Sequence, residues 1–318
     1  MRLVIAGPGA LGCLIASRLA EAAATTGDSI CILDHDVRRA KQIDSNGLLY
    51  EKSNSWKRYP LSASAHPDQI GRADVLFVCV KSYDLKTVLD HCRSLLVAGT
   101  LVIFMQNGIA HLQLQDQMGA ATVAYGCTSE GATSLGSGHV RHAGAGQTFL
   151  GFLDKPGTKA EILLAKTVDL LKTGGLVASV SDGIVTRLWA KLFVNAGINA
   201  LTAIHDCLNG DLLAIPKAQE EMQEAVAEAE RLAVAKGIVV ENDPYQITVE
   251  VCRATAANIS SMRQDVLKKK KTEIDAINGA VVQEAGRLGI PVPVNTSLVR
   301  RIKSIEAGYG QQEKKAVL

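Results

Sequence analysis

The chain holds 318 residues, more than one hydrophobic core usually organises, so two domains are expected. Hydrophobic residues make up 47% and charged residues 21%, which excludes disorder over most of the length. Lys and Arg total 34 against 32 for Asp and Glu, and a net charge of +2 is too small to attract a phosphate backbone, so nucleic acid is not an expected partner.

Seven cysteines, at positions 13, 31, 79, 92, 127, 207 and 252, are scattered and never form a CxxC pair. They suggest neither a disulfide framework nor a metal site; they read as small core residues in a reducing cytoplasm. Residues 3–16 are apolar enough to imitate a signal-peptide core, but Gly7, Pro8, Gly9 and Gly12 interrupt them as a turn does. No other uncharged run approaches the roughly 18 residues of a membrane span, so a soluble chain with no membrane partner is expected.

In chain order, Leu3-Val4-Ile5-Ala6, Ile30-Cys31-Ile32-Leu33, residues 75–80 and Leu101-Val102-Ile103-Phe104 are short, β-rich apolar runs. Residues 11–24 and 82–96 lie between them as helical stretches. This alternation predicts an α/β domain with a doubly wound parallel sheet. From about 121 to 152 the texture turns to Thr, Ser, Gly and alternating apolar residues, which predicts antiparallel strands added at one edge of that sheet. Beyond Ser181-Asp182 the pattern is almost wholly helical, over 183–205, 216–237, 244–258, 272–289 and 295–307. The expected domains are therefore 1–180, dinucleotide-binding, and 181–318, helical and carrying substrate and catalysis. Residues 308–318 read as a frayed tail, and Lys268 to Lys271 as a solvated helix face.

Gly7-Pro8-Gly9-Ala10-Leu11-Gly12 stands directly after a predicted strand and before a predicted helix, the context that the dinucleotide fingerprint of a Rossmann domain requires. The first glycine makes the tight turn, the second lets backbone approach a pyrophosphate, and the third lets helix pack on strand. Asp34 closes the second strand, where a carboxylate would bond the adenosine ribose hydroxyls and repel a 2′-phosphate, which favours NAD(H). Arg38 and Arg39 follow within reach of a phosphate or simply form an exposed helix face. Lys81 and Asn107 lie just past the carboxyl ends of the third and fourth strands, where ligands bind in open α/β sheets. Their residue types leave open a solvated lysine and an ordinary Asn-Gly turn.

On the helix beginning near 183, Lys191, Asn195 and Asn199 fall at i, i+4 and i+8, one polar stripe among Trp, Leu, Phe, Val, Ile and Ala. Burying an ammonium and two amides costs several kcal/mol unless each finds a partner, so the stripe points to a wet or ligand-filled cleft. Further on, Ser261 and Glu273 sit in two polar clusters. On one continuous helix they would lie about 18 Å apart at about 1.5 Å per residue, so both can touch one small substrate only if the helix breaks between them.

Taken together, these blocks resemble the ketopantoate reductase family. The resemblance runs through the glycine motif, Val80-Lys81, Gln106-Asn107-Gly108, residues 188–195, Ile198-Asn199, Asn258-Ile259-Ser260-Ser261-Met262 and residues 272–279, nearly the whole chain. It implies a Rossmann domain joined to a helical domain with the active site in a cleft between. The activity implied is the NAD(P)H-dependent reduction of 2-dehydropantoate to (R)-pantoate in pantothenate biosynthesis.

By the same resemblance Lys191 is the general acid, Asn195, Asn199, Asn209 and Ser261 contact substrate, and Asn107 serves cofactor and substrate. Lys81, Ala132 and Glu273 take cofactor-side or supporting catalytic roles. Family members using NADP(H) usually carry Arg where this chain has Asp34. Two other functions stay open: an NAD-dependent reductase of another 2-oxo acid, and a non-catalytic dinucleotide sensor. The expected partners are a small 2-oxo acid and, where the chain self-associates, a second copy in a homodimer.

Overall fold

The computed structural model describes residues 1–309, so most of the tail read from the sequence lies outside the described residues. The chain divides into two compact units, one of residues 1–106 and 111–184, the other of 107–110 and Val185 onward.

Unit 1 begins with β1 (Arg2–Ala6), α1 (Ala10–Thr26), β2 (Ser29–Leu33), α2 (Val37–Asn46), β3 (Leu48–Lys52), β4 (Ser55–Tyr59) and β5 (Ser62–Ser64). It continues with α3 (Pro67–Ile70), β6 (Val75–Val78), α4 (Leu85–His91), β7 (Leu101–Phe104), β8 (Thr122–Thr128), β9 (Gly131–Gly136), β10 (His139–Gly144), β11 (Gln147–Gly151), α5 (Thr158–Thr173) and β12 (Val177–Val180). Eight strands form the main sheet in the order β12-β11-β8-β7-β6-β1-β2-β5. β6 and β7 are buried at every residue, and β1 at all but its first. Strands covered on both faces need no alternation, which is why they read in the sequence as continuous apolar runs. The sheet is mixed: β8 runs parallel to β7, and β11 antiparallel to β8.

Residues 121–152 depart from expectation. β8 and β11 join the main sheet, but β9 and β10 leave it and build a second sheet in the order β4-β3-β10-β9. The reason lies in α1, whose Cys13, Leu14, Ile15, Ala16, Leu19 and Ala22 are all buried. A helix apolar nearly all round needs cover on more than one side. The second sheet supplies it, with Tyr50, Tyr59 and Val140 in the same core as Leu14 and Leu19.

Its strands β3 and β4 meet in a two-residue turn in which Ser53 and Asn54 both take positive φ, the geometry that suits hairpin twist. Polar groups pin this sheet to α1. The Arg18 guanidinium lies 3.6 Å over the Tyr50 ring and donates to the Tyr59 hydroxyl at 2.7 Å. The Tyr50 hydroxyl is 3.0 Å from His142 Nδ1, and His142 Nε2 is 2.6 Å from Glu130.

Unit 2 is helical: α6 (Ile184–His205), α7 (Pro216–Ala235), α8 (Pro244–Ala254), α9 (Ser261–Leu267), α10 (Asn278–Leu288) and α11 (Pro293–Ala307). Two expected helices are shorter than the sequence pattern suggests. The 244–258 stretch stops at Ala254, and the 272–289 stretch becomes helical only at Asn278, after a hydrogen-bonded turn in which the Ala276 and Ile277 amides donate to the Glu273 carbonyl. α9 was not foreseen as a helix; the buried Ser260 caps it by accepting the Arg263 amide at 3.1 Å. Lys268 to Lys271 follow the end of α9 as an exposed turn instead of lining a helix face. No helix among the described residues is long and apolar enough to cross a membrane.

The start of α11 shows how a buried charge holds this unit together. The Glu228 carboxylate on α7, 1% exposed, accepts the backbone amides of Val294 and Asn295 at 2.8 and 2.9 Å and the Asn295 side chain at 2.8 Å. It thus supplies from another helix the cap that α11 lacks in its own sequence. Glu228→Gln turns an amide N–H2 toward donors that need an acceptor. It is expected to cost about 2–4 kcal/mol in urea denaturation, whereas Glu224→Gln, on the exposed side of α7, leaves the midpoint unchanged.

Candidate active site

Within unit 1, the glycine motif divides its work as the fingerprint requires. Gly7 has φ +95, and a Cβ on it would stand 2.4 Å from the Val80 side chain; a Cβ on Gly12 would stand 2.1 Å from the Gly7 carbonyl oxygen. Both glycines are therefore demanded by the fold. Gly9 is different: it is exposed, and a Cβ there would meet nothing within 4 Å.

Gly9 also caps α1 without a side-chain hydrogen bond, and no acidic residue occupies the first turn, so the amides of Ala10 and Leu11 and the positive end of the helix dipole are open to an anion. Pro8 is buried behind them. This cradle fits a dinucleotide pyrophosphate. Lys81 directly follows the β6 edge and caps a single 3-10 turn, half-buried, and Ala132 lies in β9 against the unit 1 core.

Asp34 lies at the end of β2 as expected, but its surroundings were not foreseen. Its side chain is fully buried, and Arg39 donates to both of its oxygens. Cys13 near this motif is no nucleophile: burial pushes its thiol up to about 12, and Cys92 likewise to about 12. No disulfide joins any cysteines among the described residues.

Unit 2 brings together three residues that are far apart in sequence. Lys191 Nζ donates to Asn107 Oδ1 at 2.9 Å, and Asn107 Nδ2 donates to Glu273 Oε2 at 3.0 Å. The charges fix the amide's orientation. Reversed, Asn107 would turn its N–H2 against an ammonium and its carbonyl against a carboxylate. Lys191 is half-buried on α6 and Glu273 is 4% exposed, so an ammonium proton is held at the end of a polar chain whose far end is screened from water. Asn195 and Asn199 continue the stripe along α6, half-buried and buried respectively, which excludes an ordinary solvent-facing stripe.

The helix does break between Ser261 and Glu273, as both touching one ligand would require. Ser261 is exposed at the first turn of α9, whereas its neighbour Ser260 is consumed by structure, accepting from the Thr202 hydroxyl at 2.7 Å as well as capping α9. Asn209 is buried and donates to the Thr255 hydroxyl at 2.9 Å, leaving its Oδ1 without a partner among the described residues. No direct bond joins Asn209 or Ser261 to the Lys191, Asn107 and Glu273 chain among the hydrogen bonds seen.

Several supporting residues have no sequence signal of their own. Gln106, 4% exposed, donates to the carbonyls of Val78 and Val80 at 2.9 and 3.0 Å, tying the end of β7 to the end of β6 one residue before Asn107. Gly108 has φ +78, and a Cβ on it would stand 1.8 Å from the Ala276 carbonyl oxygen. The Thr272 amide donates to Glu306 at 2.7 Å, anchoring the turn that carries Glu273 to α11. Only the Asn-Gly dipeptide advertised one of these contacts, through the preference of glycine for positive φ.

The chain matches a family model described as "Ketopantoate reductase PanE/ApbA" over residues 3–155 and one described as "Ketopantoate reductase PanE/ApbA C terminal" over residues 184–306. It is 33% identical over 307 residues to a 2-dehydropantoate 2-reductase of Halobacterium salinarum, covering 95% of this chain and 98% of the relative. It is 31% identical to the enzyme of the same name from Vibrio cholerae, covering 98% and 100%. Among solved structures it is similar to a PanE/ApbA family ketopantoate reductase from Ralstonia eutropha, with a TM-score of 0.88 and 28% identity over 98% of this chain and 100% of that one. It is also similar to D-mandelate dehydrogenase in a ternary structure with NADH and anilino(oxo)acetate, with a TM-score of 0.87 and 25% identity over the same shares.

Gly108→Ala is expected to lower the melting temperature by several degrees, since the added carbon has backbone against it and the φ is one that alanine resists. A crystal structure of the variant should show the Asn107 amide withdrawn from Glu273. An unchanged melting temperature would mean that the 272–277 turn yields freely.

Proposed function

The chain belongs to the ketopantoate reductase family, and on that premise we propose that it is a 2-dehydropantoate 2-reductase, reducing 2-dehydropantoate to (R)-pantoate with a nicotinamide dinucleotide. The observation that carries the proposal is the Lys191, Asn107 and Glu273 chain, a protonated amine held by a polarised amide beside a stripe of further amides. In this proposal unit 1 binds the dinucleotide and unit 2 carries substrate and catalysis. Residence in the cytoplasm belongs to the same proposal, supported by seven cysteines of which none forms a disulfide among the described residues.

The residues that would hold the dinucleotide are the backbone of Gly7, Pro8, Gly9, Ala10, Leu11 and Gly12, with Lys81 and Ala132 supporting it. Bound there, it supplies the hydride that adds to the ketone carbon of the substrate. As that bond forms, the carbonyl π pair moves onto oxygen, and Lys191 Nζ transfers a proton to it, giving the hydroxyl and a neutral amine that solvent reprotonates. Asn107 aims the ammonium by occupying one of its three donor directions, and Glu273 fixes Asn107 in turn. Asn195 and Asn199 offer donors and acceptors to the substrate's carboxylate and hydroxyl, with Asn209 and Ser261 in supporting contact.

A second reading is favoured by one specific likeness. D-mandelate dehydrogenase, whose structure was determined with NADH and an aryl-substituted oxoacetate, is similar over 98% of this chain. In this mechanism the proton donor need address only the ketone that every 2-oxo acid shares, so a reductase of another 2-oxo acid would use it unchanged.

Initial rates with 2-dehydropantoate beside a panel of aliphatic and aryl 2-oxo acids separate these readings, and 2-dehydropantoate should give the highest kcat/KM. A higher value for an aryl 2-oxo acid would transfer the assignment to the second. Lys191→Ala should lower kcat by about 10²–10⁴-fold while dinucleotide binding, followed by fluorescence, stays within about threefold. Gly9→Val should do the reverse, abolishing dinucleotide binding while lowering the melting temperature by no more than a few degrees, because a Cβ there meets no protein atom within 4 Å and only the capping preference of glycine is lost.

A further inference from the structure

At the end of β2, the Asp34 carboxylate would be expected to receive the adenosine ribose hydroxyls, but its acceptor capacity is taken up within the chain. Arg39 Nε donates to Oδ2, Arg39 Nη2 donates to Oδ1 at 2.5 Å, and the Asp36 amide donates to Oδ1 at 3.1 Å. The Asp34 side chain has no exposed surface, whereas that of Arg39 remains 34% exposed. A guanidinium carries five N–H donors in a rigid planar fork. Two are committed to Asp34, and the other three meet no acceptor among the described residues.

The mounting of Arg39 is rigid for a local reason. Asp36 caps α2, its Oδ1 accepting the amides of Arg38 and Arg39 at 2.9 and 3.1 Å, so the backbone of Arg39 is fixed one helical turn from the carboxylate it grips. The electrostatic consequence opposes the one read from the sequence. A bare carboxylate repels a 2′-phosphate, but a carboxylate buried under a guanidinium is neutralised, and what the pair presents to solvent is the unsatisfied edge of a cation. Arg38, exposed on the same first turn, adds a second positive charge nearby, and His35 Nδ1 lies 3.6 Å from Asp34 Oδ1 with its ring 69% exposed.

We propose that Arg39, mounted on Asp34, reads the adenosine 2′ position of the dinucleotide by donating to a 2′-phosphate, so that this chain accepts the phosphorylated dinucleotide despite the acidic residue at the end of β2. Asp34 is then a positioning residue for Arg39 and does not act as a ribose ligand. The inference rests on the reductase proposal only in assuming that a dinucleotide binds at the glycine motif.

The test is equilibrium binding of NADPH and NADH to the full chain, followed by nicotinamide fluorescence with no oxo acid present, together with displacement by 2′-phosphoadenosine and by 5′-AMP. The wild-type chain should bind NADPH within about tenfold of NADH or more tightly. Arg39→Leu should weaken NADPH and 2′-phosphoadenosine by about 10–100-fold, the loss of one or two charge-assisted hydrogen bonds, and should change NADH and 5′-AMP less than about threefold. Arg39→Lys, which keeps the charge but not the fork, should recover part of the NADPH affinity.

Because Arg39→Leu strands a buried carboxylate, the paired variant Asp34→Asn with Arg39→Leu carries the same expectation without that liability. NADPH binding more than about tenfold weaker than NADH in the wild type would overturn the proposal. So would a loss in the paired variant that is equal for both dinucleotides. Selective binding through Arg39 without reduction of any 2-oxo acid would sink the reductase assignment and leave this one standing; failure to bind either dinucleotide would sink both.

Discussion

An amide fixed between a cation and an anion is the constraint on which the candidate active site depends. Lys191 and Glu273 belong to different elements, and Asn107 joins them by offering each the end that its charge requires. The surrounding structure is organised to keep that amide still. Gln106, the preceding residue, is fastened to the carbonyls of Val78 and Val80, Gly108 permits backbone to touch the turn at Ala276, and Thr272 ties the same turn to α11. A shift of an ångström at any of these three would move the amide off the Lys191 ammonium or the Glu273 carboxylate. This accounts for the delayed start of α10. Had the helix begun at Thr272, Glu273 would have been one residue of a regular turn; in the irregular segment its carboxylate meets Asn107.

Unit 1 faces the opposite problem, since it must keep a place vacant. The N-terminus of α1 presents unpaired amides, and a serine or aspartate cap there would satisfy them and cancel the attraction for phosphate. Glycine at position 9 leaves both the amides and the space in front of them free. A glycine in place of a serine or aspartate cap forgoes only a few tenths of a kcal/mol, and α1 can forgo it because its apolar surface is buried on several sides, by the main sheet, by α5 and by the second sheet that β9 and β10 leave the main one to build.

What could be read from the sequence follows from the range of the signal. Periodicity and spacing within one element revealed the buried strands, the glycine turn and the Lys191, Asn195 and Asn199 stripe, because each is a relation among residues a few positions apart. Relations between elements were not visible. Nothing in residues 131–144 announces that they form one sheet with residues 48–59, joined through the pairing of β10 with β3, since strand patterning reports a half-buried face and not the neighbour. Asp34 is the instructive case. Its partner Arg39 is only five residues away, but residue type discloses a charge without disclosing what already satisfies it. The position of Asp34 at a strand end predicts a carboxylate that faces a ligand, and in the structure it faces Arg39 of the following helix.

The division of labour in the site also bears on how its substrate is chosen. In the proposed reductase the ammonium and the bridging amide would address the ketone oxygen and the neighbouring carboxylate, groups that all 2-oxo acids have in common. Discrimination by such contacts is weak, because a competitor satisfies them equally well. Selectivity therefore falls to whatever lines the substrate's variable end, where a misfit costs only about 1–3 kcal/mol per methylene in an apolar pocket. A site divided in this way could exchange one 2-oxo acid for another through a few apolar side chains, and the likeness of this chain, nearly end to end, to both a ketopantoate reductase and a D-mandelate dehydrogenase fits that division.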